Sequence, residues 1–224
     1  MGCRTVPGFN KIVPFVEGQG DIQAVPILAR RVLAATATEK FGSSSVHFLD
    51  AWRVGHLHKL LASDGAEWFR LLNAAARTGA SGVLLVLDGD RLAEKCPGEV
   101  ARSLAASAKS CGAGAKFSLS VVFAMQEIES WYIPDAQALI ERASPHAKIS
   151  LPKGNLETGV RDAKGWLSKN MVGGYKPTIH QSEFARSLDI QKVRSQNLRS
   201  FRRFEHAVTE LIDALISGVH IATP

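Results

Sequence analysis

The stretch Gly82-Val83-Leu84-Leu85-Val86-Leu87-Asp88-Gly89-Asp90 carries the fold class. An unbroken apolar run of this length, with no polar residue on either side of the pleat, reads as a strand buried on both faces of a parallel sheet. It stops at an acid-glycine-acid turn. Upstream, Glu67 to Arg77 places Trp68, Leu71, Leu72 and Ala75 on one face of a helix. Downstream, Glu99 to Ser110 is Ala-rich and helical, and Phe117 to Ala124 is another buried strand that runs into Gln126-Glu127-Ile128-Glu129-Ser130-Trp131-Tyr132. Further out, Lys11 to Val16 is a short strand ending in Glu17-Gly18-Gln19-Gly20-Asp21, and Ser45 to Trp52 is a second. Between them Ile22, Val25, Leu28, Ala29, Val32 and Leu33 recur at helical spacing. Pro26 suits only a first turn, so the regular helix is expected to begin near Ala24 or Val25. Alternating strands and helices through about residue 145 predict an α/β domain with a mainly parallel sheet.

The remainder reads differently. Ser150 to Gly174 is rich in Gly, Lys and Pro, and a last helix, from about Ser200 to Ser217, carries Phe201, Phe204, Val208, Leu211, Ile212 and Leu215 on one side. This divides the chain into an α/β unit, 1–145, and a mainly helical extension, 146–224, that packs on it. The net charge of +6 is concentrated in the extension: Arg161 to His206 holds ten Lys/Arg against four Asp/Glu, and the rest of the chain holds 17 of each. A local basic surface points to a polyanionic partner, nucleic acid first, or to a solvated helix face. Cys3, Cys96 and Cys111 fit neither a disulfide framework nor a metal knuckle, so a reducing, cytoplasmic setting is expected. No run approaches the ~18 to 20 apolar residues of a membrane span, and no membrane partner is expected.

Acidic residues gather where the predicted strands end. Glu17 follows the first, Asp88 and Asp90 follow the Gly82 strand, Glu127 and Glu129 follow the Phe117 strand, and Asp21 lies just beyond Glu17. In an open parallel sheet the carboxyl ends of the strands form the binding crevice. Carboxylates crowded there repel one another and raise each other's pKa values, and a hard divalent ion, Mg²⁺ or Mn²⁺, relieves that repulsion through oxygen ligands. Each element also has a plainer reading. A Glu before a Gly-rich turn is often only a surface residue, Asp-Gly is a common turn, and acids at a helix start such as Glu127 and Glu129 also serve the helix dipole. The conjunction of three strand ends favours a site.

The order Val16-Glu17-Gly18, helix, apolar run, Asp88-Gly89-Asp90 resembles the Toprim domain of topoisomerases, primases and overcoming-lysogenization-defect (OLD) nucleases, with its Glu-Gly and Asp-x-Asp motifs. Asp21, Ala24-Val25-Pro26, Glu127-Ile128-Glu129-Ser130-Trp131, Tyr175-Lys176 and Ser200-Phe201-Arg202-Arg203-Phe204 extend the similarity to an uncharacterised bacterial Toprim-like family linked to phage-defence loci. The resemblance implies a compact four-stranded parallel sheet flanked by helices and Mg²⁺- or Mn²⁺-dependent chemistry on phosphodiesters. It implies Glu17 as general acid/base or ligand, Asp88 and Asp90 as metal ligands, Asp21 as an added ligand, and Glu127 or Glu129 at a second site. Lys176, by the same resemblance, would steady the scissile phosphate.

Under that resemblance water would be the nucleophile and the reaction hydrolysis; neither Tyr132 nor Tyr175 has the context of a strand-passing tyrosine. The chain has no Gly-x-x-x-x-Gly-Lys-Ser/Thr run, so any ATPase partner would be a separate protein. Arg199, Arg202 and Arg203, interleaved with Phe201 and Phe204, are candidates for the phosphate backbone, DNA ahead of RNA, or are solvated residues of an amphipathic helix. A homo-oligomer is compatible with all of this. His56-x-His58 lacks further ligands at useful spacing, and Trp131 and Tyr132 are read as packing before base stacking. The competing functions are a Toprim scaffold that binds nucleic acid or protein without cutting, and a haloacid-dehalogenase-like phosphatase, against which Leu92 and the mid-chain position of Asp88-Gly89-Asp90 argue.

Overall fold

The computed structural model describes residues 10–36, 46–90, 92, 95–143, 145 and 149–224. Its elements are β1 (Asn10–Val16), α1 (Asp21–Thr36), β2 (Val46–Phe48), β3 (Trp52–Arg53), α2 (Leu57–Leu61), α3 (Ala66–Arg77), β4 (Gly82–Asp88), α4 (Pro97–Ala108) and β5 (Ser118–Ala124). A 3-10 segment, Ile128–Asp135, leads into α5 (Ala136–Ala143), followed by α6 (Ala163–Asn170), a π turn Pro177–Gln181, α7 (Ser182–Ser187), α8 (Ile190–Ser195), α9 (Arg199–Ser217) and β6 (Ala222–Thr223). The expected start of the second strand at Ser45, and Cys3, lie outside the described residues.

Every strand pairing is parallel, in the order β2-β1-β4-β5-β6, with β3 also on β1. The sheet has six strands rather than the four expected, for two reasons. The second expected strand is broken: β2 pairs with Asn10 to Ile12 and β3 with Phe15 and Val16, so Leu49 to Ala51 interrupt one edge. In addition, the end of the chain returns as β6 beside Leu119 and Ser120.

The period-two alternation of side chains sorts the apolar runs into two cores. Ile12, Val16, Leu84, Val86, Val122 and Ala124 face one core, and Val13, Phe15, Val83, Leu85, Leu87, Val121 and Phe123 face the other. Helices α2, α3 and α4 cover the second core. The first is covered by α1 together with the C-terminal helices, whose Phe184, Phe201, Phe204, Val208 and Leu211 are buried with the sheet. The extension thus supplies much of one side of the sandwich. Trp131 is fully buried, 5.0 Å from Phe204 between ring centroids, and donates its Nε1–H to Ser200 Oγ at 2.8 Å. Trp131 and Tyr132 are packing residues.

Helix α1 starts at Asp21, earlier than Pro26 suggested, and Pro26 lies inside it. The missing Pro26 N–H leaves one helical bond unmade. The bonds that Asp21 accepts from Gly18 and Gln181 hold the first turn in place. Among the described residues no helix is long and apolar enough to cross a membrane.

Because Phe204 is fully buried between Trp131 and the sheet, Phe204→Ala should destabilise the protein by about 3–5 kcal/mol. Urea unfolding followed by tryptophan fluorescence measures this. A near-zero loss would mean that α9 does not share the core.

Candidate functional site

Parallel strands deliver their C-terminal ends to one edge of the sheet, and β1, β4 and β5 each end there in acid. Glu17, directly after β1, is buried, with His56 Nδ1 2.7 Å from its Oε1 and its Oε2 buried without a hydrogen-bond partner. Its carbonyl accepts Arg53 Nε at 3.2 Å, which ties the turn to β3. Asp21 accepts the Gly18 N–H at 2.8 Å and the Gln181 side-chain amide at 2.6 Å. Gly20 makes this closure feasible, since a Cβ there would lie 2.0 Å from Gln181 Oε1.

Asp88 ends β4 and accepts the Ile128 N–H at 3.0 Å. The chain then turns under β5: the N–H groups of Gly89 and Asp90 both donate to Gln126 O, and a Cβ on residue 89 would lie 2.5 Å from Ala124 O. This crossing seats Glu127 and Glu129 beside Asp88. All three meet Lys164, whose Nζ is 3.3 Å from Asp88 Oδ2, 3.1 Å from Glu127 Oε1 and 3.3 Å from Glu129 Oε2. Glu127 Oε2 also accepts the Lys164 backbone N–H at 3.0 Å, so one carboxylate holds both the first turn of α6 and its side chain. Glu129 is almost fully buried, and Tyr175 donates its hydroxyl to Glu129 Oε1 at 3.4 Å.

The electrostatics follow from burying five acids with one ammonium. Burial raises the pKa of Asp88 to about 7; Lys164 opposes this, and the charges of Asp21 and Glu17 add to it. Burial raises Glu129 to about 8, with Lys164 again opposing and Asp88, Asp21 and Glu127 adding. Asp21 is raised by burial against the bonds from Gly18 and Gln181. Burial works against the Lys164 charge, yet Glu129, Asp88 and Glu127 outweigh it and hold the ammonium above its ordinary value. Burial raises Tyr175 as well, which keeps its phenol protonated.

Glu17, Asp21, Asp88, Glu127 and Glu129 therefore come together. Asp90 is exposed on the turn, and Lys176 is exposed, with its backbone N–H bonded to His180 Nδ1 at 2.9 Å. Arg199 and Arg202 are exposed, while Arg203 is half-buried and donates to Glu210 at 2.8 Å and Ser120 at 3.1 Å. Sequence reasoning missed Lys164 and Gln181, and it weighed His56 only as a metal ligand and not as the partner of Glu17. Lys164 did leave a signal: a lysine in the first turn of a helix, two residues after the capping Asp162, opposes the helix dipole. The His56-x-His58 pair drew attention to His56 without indicating its partner, and no comparable signal marks Gln181.

Among the described residues no group of three His, Cys, Asp or Glu side chains stands ready to ligate an ion as placed. The donor chemistry nevertheless suits a hard cation. All five acids offer oxygen, and Glu17 Oε2 is buried without a hydrogen-bond partner, while Glu129 Oε2 has only its ion pair with Lys164. Asp88, Glu127 and Glu129, with Glu17 and Asp21 in electrostatic reach, are the residues that would hold it.

The raised carboxylate values set a pH dependence. Unfolded Asp and Glu titrate near 3.9 and 4.3, so the folded state favours the protonated forms. That contribution is complete below about pH 4 and drains as pH rises through about 7 and 8 for Asp88 and Glu129. The raised Lys164 value acts only above this window. In metal-free buffer, stability should fall between about pH 4 and 8, by on the order of a few kcal/mol. Thermal melts should show the slope flattened in Asp88→Asn and Glu129→Gln. A flat wild-type profile would show that these acids are not buried together.

No curated protein and no solved structure matches the chain. A family model does, over residues 16–209, a span that begins one residue before Glu17 and includes every acid of the cluster and Lys164. The chain belongs to the family described as a domain of unknown function, DUF4276.

Proposed function

We propose that the protein is a Mg²⁺- or Mn²⁺-dependent nuclease of Toprim type that hydrolyses phosphodiester bonds, DNA ahead of RNA. In this reading it is the effector of a prokaryotic anti-phage system whose ATPase is a separate protein. One observation carries the reading: acids from three strand ends and the start of α1 are buried within one another's electrostatic reach around a single ammonium. An open parallel sheet gathers ligand-binding groups at that edge. Burial of so many acids costs stability unless a cation or a ligand repays it.

A divalent ion held by Asp88, Glu127 and Glu129 would supply Lewis acidity and a water of lowered pKa. The chain's own groups have separable tasks. His56 holds Glu17 Oε1, which leaves the unpartnered Oε2 to accept a proton from the attacking water. Lys164, fixed at its backbone by Glu127, places a positive charge where a phosphate would lose a bond. Tyr175 and Gln181 orient Glu129 and Asp21. Lys164 takes the task that the resemblance gave to Lys176.

The second reading, a scaffold that binds without cutting, is favoured by the same ion pairs, since Lys164 partly neutralises three acids without any metal. Incubation with plasmid, linear DNA and RNA separates the two. We expect cleavage only with Mg²⁺ or Mn²⁺, abolished in Asp88→Ala and reduced about 100-fold or more in Glu17→Gln. Binding without metal-dependent cleavage, with or without an ATPase encoded beside the gene, would establish the scaffold.

A further inference from the structure

We infer a second binding site, a pocket at the β5 edge that takes one nucleotide of a single strand. A cavity of about 440 Å³ opens there, within the range of about 300–1,000 Å³ typical of small-ligand sites. Strand β6 pairs with β5 at Leu119 and Ser120, and among the described residues the cavity lies along β5 beyond that pairing, with Pro224 in its lining. Val121, Phe123 and Met125, two residues apart along one side of the chain, form an apolar floor, and Arg102, Arg199 and Arg203 line the rest.

The three guanidiniums are unequal. Arg203 is pinned by Glu210, Ser120 and Thr223, yet its Nε is buried without a hydrogen-bond partner. Arg102 and Arg199 are exposed, from α4 and α9 respectively. An apolar floor between planar, permanently charged donors matches a nucleotide, whose base packs on the floor or stacks on a guanidinium while its phosphates take the arginine donors. An acidic peptide would satisfy the charges but not the stacking geometry.

The location adds the substrate logic. Met125 lines the pocket, its carbonyl would lie 2.8 Å from a Cβ on residue 89, and Glu127 follows two residues later. Pocket and acid cluster thus lie on either side of the place where the Gly89 turn meets the backbone of Ala124 and Met125. A strand running from one to the other would hold a flanking nucleotide here while its phosphodiester meets the acids. That the ligand is nucleic acid rests on the proposed activity.

Cys96 and Gly98 line the cavity and supply the probes. Cys96 is exposed, and a Cβ on Gly98 would approach no atom closer than Arg102 Nη1 at 3.7 Å, so Gly98→Trp can fill the mouth without backbone conflict. The full chain in EDTA, where nothing is cut, is alkylated with iodoacetamide and mapped by mass spectrometry, with a short single-stranded oligonucleotide or a poly-glutamate peptide present. The oligonucleotide should slow modification of Cys96 several-fold and leave Cys111 unchanged, and Gly98→Trp should weaken oligonucleotide binding. Replacing Arg102 and Arg199 together with Ala should lower the salt slope of binding by about 1.4, at about 0.7 per phosphate contact on single strands.

Protection by poly-glutamate and not by the oligonucleotide would overturn the proposal, as would equal Cys96 reactivity with and without the oligonucleotide. Metal-dependent cleavage with Cys96 unprotected removes the pocket and leaves the nuclease. Protection without any metal-dependent cleavage keeps the pocket and removes the nuclease.

Discussion

Ionised carboxylates are costly to crowd into a buried space unless a positive charge accompanies them, and the acid-bearing edge of this sheet is arranged around that constraint. Asp88, Glu127 and Glu129 each lie 3.1 to 3.3 Å from the Lys164 ammonium. Burial raises Asp88 to about 7, and the charges of Asp21 and Glu17 add to that rise. One lysine against five acids leaves negative charge in excess, with His56 as the neighbour of Glu17. Such a cluster costs the fold stability at neutral pH, and that cost is intelligible where the same charges perform chemistry on a cationic or phosphate-bearing ligand.

The fold delivers this arrangement by ordinary means. Parallel strands buried on both faces bring three sequence-distant acids to one edge, and close backbone approaches at Gly20 and Gly89 tighten the turns that aim them. The C-terminal helices are integral to the site as well as to the core. They contribute Phe201 and Phe204 beneath Trp131, Tyr175 and Gln181 come from the segment between α6 and α7, and α6 brings Lys164 into the acids. Glu157 shows the same economy at the base of α9, where its carboxylate accepts the N–H groups of Arg199 and Ser200 and the Ser200 hydroxyl.

Much of this was legible in the residue order. The apolar runs at Gly82 and Phe117 are unambiguous because a strand covered on both sides has no polar face to confuse the period. The acids ending those runs were visible for the same reason. What was hidden depends on contacts across the chain. Asp-x-Asp suggests two acids pointing together only if the segment stays extended; the turn at Gly89 sends Asp88 inward and leaves Asp90 exposed. The approach of Lys164 to the acids was hidden similarly, because nothing local distinguishes Lys164 from Lys176 except the unfavourable place of Lys164 at a helix start. The break between β2 and β3 and the short β6 lay below the length at which alternation can be read.

The most direct test is the binding of Mn²⁺ at pH 8, where the buried acids ionise, followed by loss of the free-ion electron paramagnetic resonance signal. Asp88 and Glu129 come from the ends of different strands, so a single shared site predicts saturable binding that either Asp88→Asn or Glu129→Gln weakens strongly. No binding by the wild-type protein, or binding indifferent to both substitutions, would contradict the claim that these acids form one metal-dependent centre.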